Sequence, residues 1–152
     1  MTELEERIHN DIVAAMKRRD QASLVPLRML KAAVDNARIE RGRDAPFAED
    51  DVFVVIRRLV KQRKEAAEQF AAGGAPGRAE EEIREAALLS AFLPAPVDDG
   101  QIVSVVRRIV EETGAKGPSD MGLVMGRAMP EFKGRVEGER VRNAVTDILR
   151  SL

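Results

Sequence analysis

Apolar residues recur every three or four positions along most of the chain, which is the spacing of one face of an α-helix. The pattern predicts seven helices, which cover about residues 3–19, 23–41, 49–73, 78–92, 98–114, 119–129 and 137–151. The β-branched residues follow the same helical spacing and nowhere alternate with polar ones, so no strand is predicted. The sequence therefore predicts an all-α protein.

The third and fourth predicted helices each carry an apolar stripe that is expected to face the core. On the third helix the stripe consists of Val52, Val55, Ile56, Leu59, Ala66 and Phe70; on the fourth it consists of Ile83, Ala86, Ala87, Leu89 and Phe92. Pro26 is expected in the first turn of the second helix, where its missing N–H has no partner to lose.

The segment Leu93-Pro94-Ala95-Pro96 separates two groups of helices. Proline cannot donate a helical hydrogen bond and restricts the residue before it, so this segment cannot be regular helix. We expect a linker here, with a four-helix N-terminal domain in residues 1–94 and a three-helix C-terminal domain in residues 97–152.

Residues 119–138 combine a short helix with a basic turn. Ser119 or Asp120 is expected to cap the helix, because a short side-chain oxygen accepts a free backbone N–H there. Methionine recurs at every fourth position from 121 to 129 and gives the helix an adaptable apolar face. Pro130 is expected to end the helix, since it has no N–H and clashes with the preceding turn.

Gly122 and Gly126 lie four residues apart at the edge of that apolar face. Two helical glycines cost about 2 kcal/mol relative to alanine. Glycine permits close approach of another backbone, which would offset this cost. The sequence therefore predicts that another segment packs closely against these two residues.

The strongest candidate for a binding site is the basic turn that follows. Lys133 and Arg135 flank Gly134, and Arg127 and Lys116 are near them in sequence. Lysine and arginine donors suit phosphate oxygens, and a glycine turn lets two backbones approach each other. The alternative is a solvated turn whose glycine serves geometry alone, and the acids at 131, 137 and 139 weaken the positive field.

The third helix offers a second basic surface. Arg57, Lys61 and Lys64 fall within about 80° of one another, opposite the apolar stripe. Such a row can follow a phosphate backbone, although a charge run on a helix is more often a solvated face.

Arg63 differs from these residues because it falls on the apolar stripe itself. An unpaired buried guanidinium is very costly. Arg63 is therefore expected to pair with an acid of a neighbouring helix, with Glu40, Glu82 and Glu85 as the candidates.

Composition narrows the possible functions. The 152 residues carry a formal net charge of −1, so no overall field draws the chain to nucleic acid or membrane. There are no cysteines and one histidine, His9, which excludes thiolate chemistry and leaves no metal-ligand set. The acidic N-terminus has no apolar run, and no stretch reaches the roughly 18 apolar residues of a membrane span. A cytoplasmic protein without membrane contact is expected.

The motif DMGLVMGRAMPEFKGRVEG, together with residues 27–40, 61–74 and 91–96, resembles the GatB/YqeY family. More specifically, the chain is similar to the free-standing YqeY-like proteins over essentially its whole length. These proteins are similar to the C-terminal tail domain of GatB, a subunit of the amidotransferase that acts on mischarged transfer RNA. The resemblance implies the same all-α architecture, a four-helix part followed by a three-helix part.

The resemblance also implies a function. It suggests a tRNA-binding accessory module near an amidotransferase or an aminoacyl-tRNA synthetase, with Lys133, Gly134 and Arg135 at the contact. The family is commonly described as having carbon–nitrogen ligase activity with glutamine as amido donor. The sequence contains no phosphate-binding loop, nucleophile elbow or dinucleotide fingerprint, so it predicts no catalytic residue and no cofactor. The alternative function is a helical protein–protein interaction module that does not bind RNA.

Overall fold

The computed structural model describes residues 1–132 and 135–152. All regular structure in these residues is helical. The α-helices are α1 (Glu3–Arg18), α2 (Gln21–Arg41), α3 (Glu49–Ala72), α4 (Pro76–Ser90), α5 (Asp99–Thr113), α6 (Met121–Phe132) and α7 (Gly138–Arg150), and a 3-10 helix, Pro118–Asp120, precedes α6. The prediction of an all-α fold, with four helices followed by three, is confirmed.

The chain divides into two compact units, Met1–Pro94 and Ala95–Leu152. In the first unit α3 and α4 share the most extensive interface, and α2 contacts α1, α3 and α4. The fully buried side chains of this unit include Leu27, Leu30, Val52, Ile56 and Leu89. In the second unit α5, α6 and α7 pack on one another, and their fully buried side chains include Ile102, Val106, Ile109, Val124, Val141, Val145 and Leu149. Each unit therefore has its own aliphatic core.

Short polar side chains determine where two of the helices begin. The Thr2 hydroxyl accepts from the Glu5 N–H (3.1 Å), and the Glu5 carboxylate accepts from the Thr2 N–H (2.7 Å). This reciprocal capping box pairs two N–H groups that a helix start leaves without partners. Asp98 and Gln101 form the same arrangement at the start of α5.

Pro26 and Pro130 both lie inside helices. Asp20 caps α2 by accepting hydrogen bonds from the Ser23 N–H and hydroxyl, so α2 begins at Gln21 and Pro26 lies beyond its first turn instead of within it. Pro130 lies within α6, which continues to Phe132, so the prediction that Pro130 ends this helix is wrong. A proline removes one helical hydrogen bond. The burial of Phe132, which is 4% exposed, favours continuing the helix for two more residues.

The predicted core position Ile83 is 58% exposed. The face of α4 that turns inward is centred on Ala79, Ala86 and Leu89. Two of these three side chains, those of Ala79 and Ala86, are methyl groups, which allow α4 to lie close to α3. Ile83 falls at the edge of this inward face. The prediction of a buried Ile83 is therefore wrong, and so is that of a buried Ala87, which is also exposed.

The buried stripe of α3 also differs in part from the predicted one. Its second half passes through Val60 and Ala67, whereas Leu59 and Ala66 are only partly buried. Arg63 lies between Val60 and Ala67 on this stripe, which places its guanidinium against the neighbouring helices. Among the described residues, none of the helices combines the length and the hydrophobicity that a membrane span requires.

Candidate nucleic-acid interface

Buried apolar residues anchor the turn between α6 and α7 on both sides. Phe132 and Val136 are 4% and 8% exposed. The Phe132 carbonyl accepts hydrogen bonds from the backbone N–H groups of Arg135 (2.9 Å) and Val136 (3.1 Å). The candidate residues Lys133 and Gly134 lie outside the described residues. The flanks of the turn are thus held to the core of the second unit, and Arg135 emerges from them into solvent.

Arg127 and Arg135 present guanidinium groups on either side of this turn. Both side chains are exposed. Among residues 1–132 and 135–152, no carboxylate forms an ion pair with either of them. Their donors can therefore bind an external anion, and guanidinium donors match the geometry of phosphate oxygens.

Lys116 is also exposed, but it lies at the opposite end of α6. Its backbone N–H donates to the Asp120 carboxylate (2.8 Å). Asp120 is the last residue of the 3-10 helix that precedes α6. Arg135 is held at Phe132, where α6 ends. The two anchor points are about 18 Å apart at 1.5 Å per residue. The described basic candidates therefore lie at three levels along α6: Lys116 before its start, Arg127 within it and Arg135 after its end.

Glu131, the acid that precedes the turn, is bound to another helix. Its carboxylate accepts from the Arg108 guanidinium of α5, with Oε2 2.6 Å from Nη2. The hydrogen bond and charge of Glu131 raise the pKa of Arg108. Arg108 therefore offsets the negative charge that would otherwise weaken the field around the turn. Sequence reasoning missed Arg108 because the partners are far apart along the chain and no local pattern links them.

Two glycines lie on the exposed surface of α6. Gly122 and Gly126 are exposed, and a Cβ at either position would meet no atom of the described residues within 4 Å. The prediction that another segment of the chain packs closely on these glycines is therefore wrong. Leu123 is 49% exposed beside them. Pro130 has no N–H to donate to the Gly126 carbonyl.

The second basic surface lies on α3 in the first unit. Lys61 and Lys64 are exposed, and no carboxylate of the described residues pairs with them. Arg57 is half-buried, so it contributes less surface than the sequence pattern suggests. The exposed part of this face is thus narrower than predicted.

A match to a known protein family covers nearly the whole chain. The family model described as Yqey-like protein matches residues 5–149. The chain belongs to the YqeY-like protein family. The matched range includes α6, the basic turn and the basic face of α3. No curated protein matches the chain.

Arg63 of this YqeY-like chain contacts side chains of two neighbouring helices. Its Nη1 lies 3.3 Å from Glu82 Oε2 and 3.4 Å from Glu85 Oε2, both on α4. Its Nη2 lies 3.4 Å from the Met29 sulfur of α2. The predicted ion pair with an acid of a neighbouring helix is confirmed, and Arg63 joins three helices of the first unit.

The single histidine of this YqeY-like chain, His9, is exposed on α1. It borders a shallow hollow whose other lining residues include Ile8, Lys31 and Val34. Within residues 1–132 and 135–152, no three His, Cys, Asp or Glu side chains are arranged to hold a metal ion.

Proposed function

We propose that this YqeY-like protein is a tRNA-binding accessory module that acts beside a tRNA-dependent amidotransferase or an aminoacyl-tRNA synthetase. Membership of the family supports the proposal, because the resemblance to the GatB tail domain includes the motif of α6 and the basic turn. The contact lies on the second unit, along the solvent-facing side of α6 and the turn that follows it.

The observation that carries the proposal is a set of exposed cations before, within and after α6. Lys116, Arg127 and Arg135 are exposed, and no acid of the described residues pairs with them. The residues that hold the backbones of Lys116 and Arg135 are about 18 Å apart along α6. Cations distributed over this length can contact more than one phosphate of an RNA strand. Contacts of this kind fix the position of a nucleic acid without reading its sequence.

The open glycine face favours an RNA backbone as the ligand. At Gly122 and Gly126 no atom of residues 1–132 and 135–152 lies within 4 Å of the position that a Cβ would take. A ribose-phosphate chain can approach this surface closely, and its 2′-hydroxyl groups can hydrogen-bond with nearby protein groups. RNA recognition here would depend on shape and backbone.

The carbon–nitrogen ligase chemistry attributed to the family belongs, in this proposal, to the partner enzyme. Amide transfer needs activation by ATP and a source of ammonia. The sequence has neither a phosphate-binding loop nor an amidase nucleophile motif. The role proposed for this chain is to hold tRNA while the partner carries out the transfer.

The test is a titration of labelled bulk tRNA against the wild type and the variant Arg127→Ala/Arg135→Ala at low salt. The proposal predicts that the affinity of the variant is at least about tenfold weaker, which corresponds to two charge-assisted hydrogen bonds. A matched control, Arg43→Ala/Arg84→Ala, removes the same charge from exposed arginines of the first unit and should bind as the wild type does.

A third variant, Lys61→Ala/Lys64→Ala, tests the basic face of α3. If this variant alone fails to bind, the contact lies on the first unit and the proposed site is wrong. If the wild type itself does not bind tRNA at low salt, the proposed function is wrong.

A further inference from the structure

The outward face of α2 repeats apolar residues at a second, independent spacing. The helix buries Leu24, Leu27, Leu30 and Val34 on its inner side. On the outer side, residues recur at intervals of three and four: Ala22, Val25, Met29, Ala32, Asn36 and Ile39. We call these six residues the outer face of α2. They fall within an arc of about 100° and occupy the a and d positions of three successive heptads.

All six residues of the outer face are exposed. The three large ones are exposed by 51% (Val25), 48% (Met29) and 75% (Ile39). A solvated helix face has no need of apolar residues at heptad spacing, whereas a helix that pairs with another helix does. The one polar member, Asn36, occupies an a position, where a polar side chain specifies pairing at some cost in stability.

The charges that border this face identify the partner. Arg28 and Asp35 lie at one edge, seven residues apart, at equivalent g positions. If a second copy of α2 lies antiparallel, Arg28 of each copy faces Asp35 of the other, which gives two attractive pairs. If the second copy lies parallel, Asp35 of each copy instead faces Glu40 of the other, which gives two repulsive pairs. The face is therefore electrostatically complementary to itself in the antiparallel orientation only.

The antiparallel register also matches large side chains with small ones. The register that joins Arg28 to Asp35 places Met29 against Ala32 of the second copy and Ile39 against Ala22. Val25 then lies against Asn36. The two border charges, Arg28 and Asp35, are both exposed and therefore accessible to a second chain.

Arg28 has no ion-pair partner among the described residues. The Asp35 carboxylate accepts from the Lys31 ammonium of its own helix (2.8 Å), and both of these side chains are about half exposed. An exposed pair of this kind contributes little free energy. Asp35 can therefore bind Arg28 of a second copy at little cost.

We propose that the protein forms a homodimer through the outer face of α2, in which the two helices pair antiparallel about a two-fold axis. Such an interface is isologous, because the same surface serves both subunits. It lies on the first unit and does not depend on the proposed RNA contact, which lies on the second.

Sedimentation equilibrium over a range of protein concentrations tests the proposal. The wild type should show a reversible monomer–dimer equilibrium, and Val25→Lys/Ile39→Lys should remain monomeric. Met29 is left unchanged because its sulfur also contacts the Arg63 guanidinium of α3. The control Met16→Lys/Ile83→Lys places the same charges on exposed apolar residues outside the face, which are 50% and 58% exposed, and should still dimerise. A wild type that is monomeric up to millimolar concentration overturns the proposal, and so does a dimer that survives Val25→Lys/Ile39→Lys or fails in the control.

Charge reversal tests the orientation without changing the apolar face. Arg28→Asp should raise the dissociation constant by about tenfold or more at low salt, because it creates two like-charge pairs. Arg28→Asp/Asp35→Arg should restore dimerisation. A dimer that is insensitive to Arg28→Asp would contradict the antiparallel pairing, since in the parallel arrangement Arg28 faces Ala33. Circular dichroism of each variant confirms that the helices are retained.

Discussion

The guanidinium of Arg108 on α5 binds the carboxylate of Glu131 on α6, with Nη2 2.6 Å from Oε2. Arg108→Ala would leave the charge of Glu131 uncompensated beside the basic turn. We expect this substitution to weaken tRNA binding several-fold at low salt and much less at high salt, because salt screens exposed charges. Both side chains are exposed, so the thermal unfolding temperature should not change measurably.

The double variant Arg108→Ala/Glu131→Gln separates the two possible effects of that substitution. It removes the uncompensated acid together with its partner, so the affinity for tRNA should return close to that of the wild type. If the double variant binds as weakly as Arg108→Ala, then Arg108 contacts the RNA directly, and its proposed role as a counter-charge is wrong.

The two exposed glycines of α6 are expected to lower the stability of the protein and to leave the helix backbone accessible to RNA. Gly122→Ala/Gly126→Ala should raise the free energy of unfolding by up to about 2 kcal/mol, because alanine is the better helix former and both added methyl groups point into open space. The same variant should bind tRNA more weakly, since the methyl groups keep the RNA backbone away from the helix. Urea unfolding and tRNA titration measure the two effects, and a loss of stability would contradict the exposed position of these glycines.

Arg63 is expected to matter for stability. Arg63→Leu should lower the free energy of unfolding by about 2 kcal/mol, because it leaves Glu82 and Glu85 partly buried and close together without their cation. Replacing both glutamates by glutamine in the same variant should recover much of the loss. The matched control is Arg58→Leu, which changes an exposed arginine of the same helix and should alter stability by less than about 0.5 kcal/mol. Equal effects of Arg63→Leu and Arg58→Leu would contradict this role.

The pH dependence of stability should contain a contribution from Glu5. Burial alone would raise the pKa of Glu5, but hydrogen bonds from the Thr2 N–H and the Arg38 guanidinium, with the charge of Arg38, lower it overall. A lowered pKa in the folded state stabilises the protein above the ordinary pKa of the group, and this contribution disappears as the pH falls through the folded value.

Glu5→Gln isolates this charge, because glutamine can still complete the capping box. The variant should be less stable than the wild type by about 1 kcal/mol at pH 7. The difference should shrink towards zero as the pH falls below 4.5, the ordinary pKa of the group. Urea unfolding at pH 7 and pH 3 provides the comparison. A difference that stays constant with pH would show that Glu5 contributes through geometry instead of charge.

Helical periodicity is sufficient to predict the number, order and approximate bounds of the helices, because each one buries a continuous apolar stripe. It is also sufficient to predict that Arg63 pairs with an acid, since a guanidinium on a buried stripe needs a partner. Periodicity fails where tertiary packing determines the length of a helix or the exposure of a side chain. The length of α6 depends on the burial of Phe132, and the exposure of Ile83 depends on how closely α4 lies against α3.

The candidate interface is less predictable than the fold. The sequence identifies Arg127 and Arg135 as candidates, and the helix that it predicts over residues 119–129 already separates Lys116 from Arg135. It cannot show that Arg108 compensates Glu131, because this relationship depends on which helices are neighbours in space. The open surroundings of Gly122 and Gly126 depend on what does not pack against them, for which a single sequence carries no signal.

The most direct test of the proposed function is the salt dependence of tRNA binding. The logarithm of the wild-type association constant should fall linearly with the logarithm of salt concentration, as expected when bound phosphates release counterions. For Arg127→Ala/Arg135→Ala the slope should be smaller by about one for each phosphate that the variant no longer binds. A wild-type affinity that is independent of salt, or a variant with an unchanged slope, would contradict the proposal that these two arginines hold the RNA backbone.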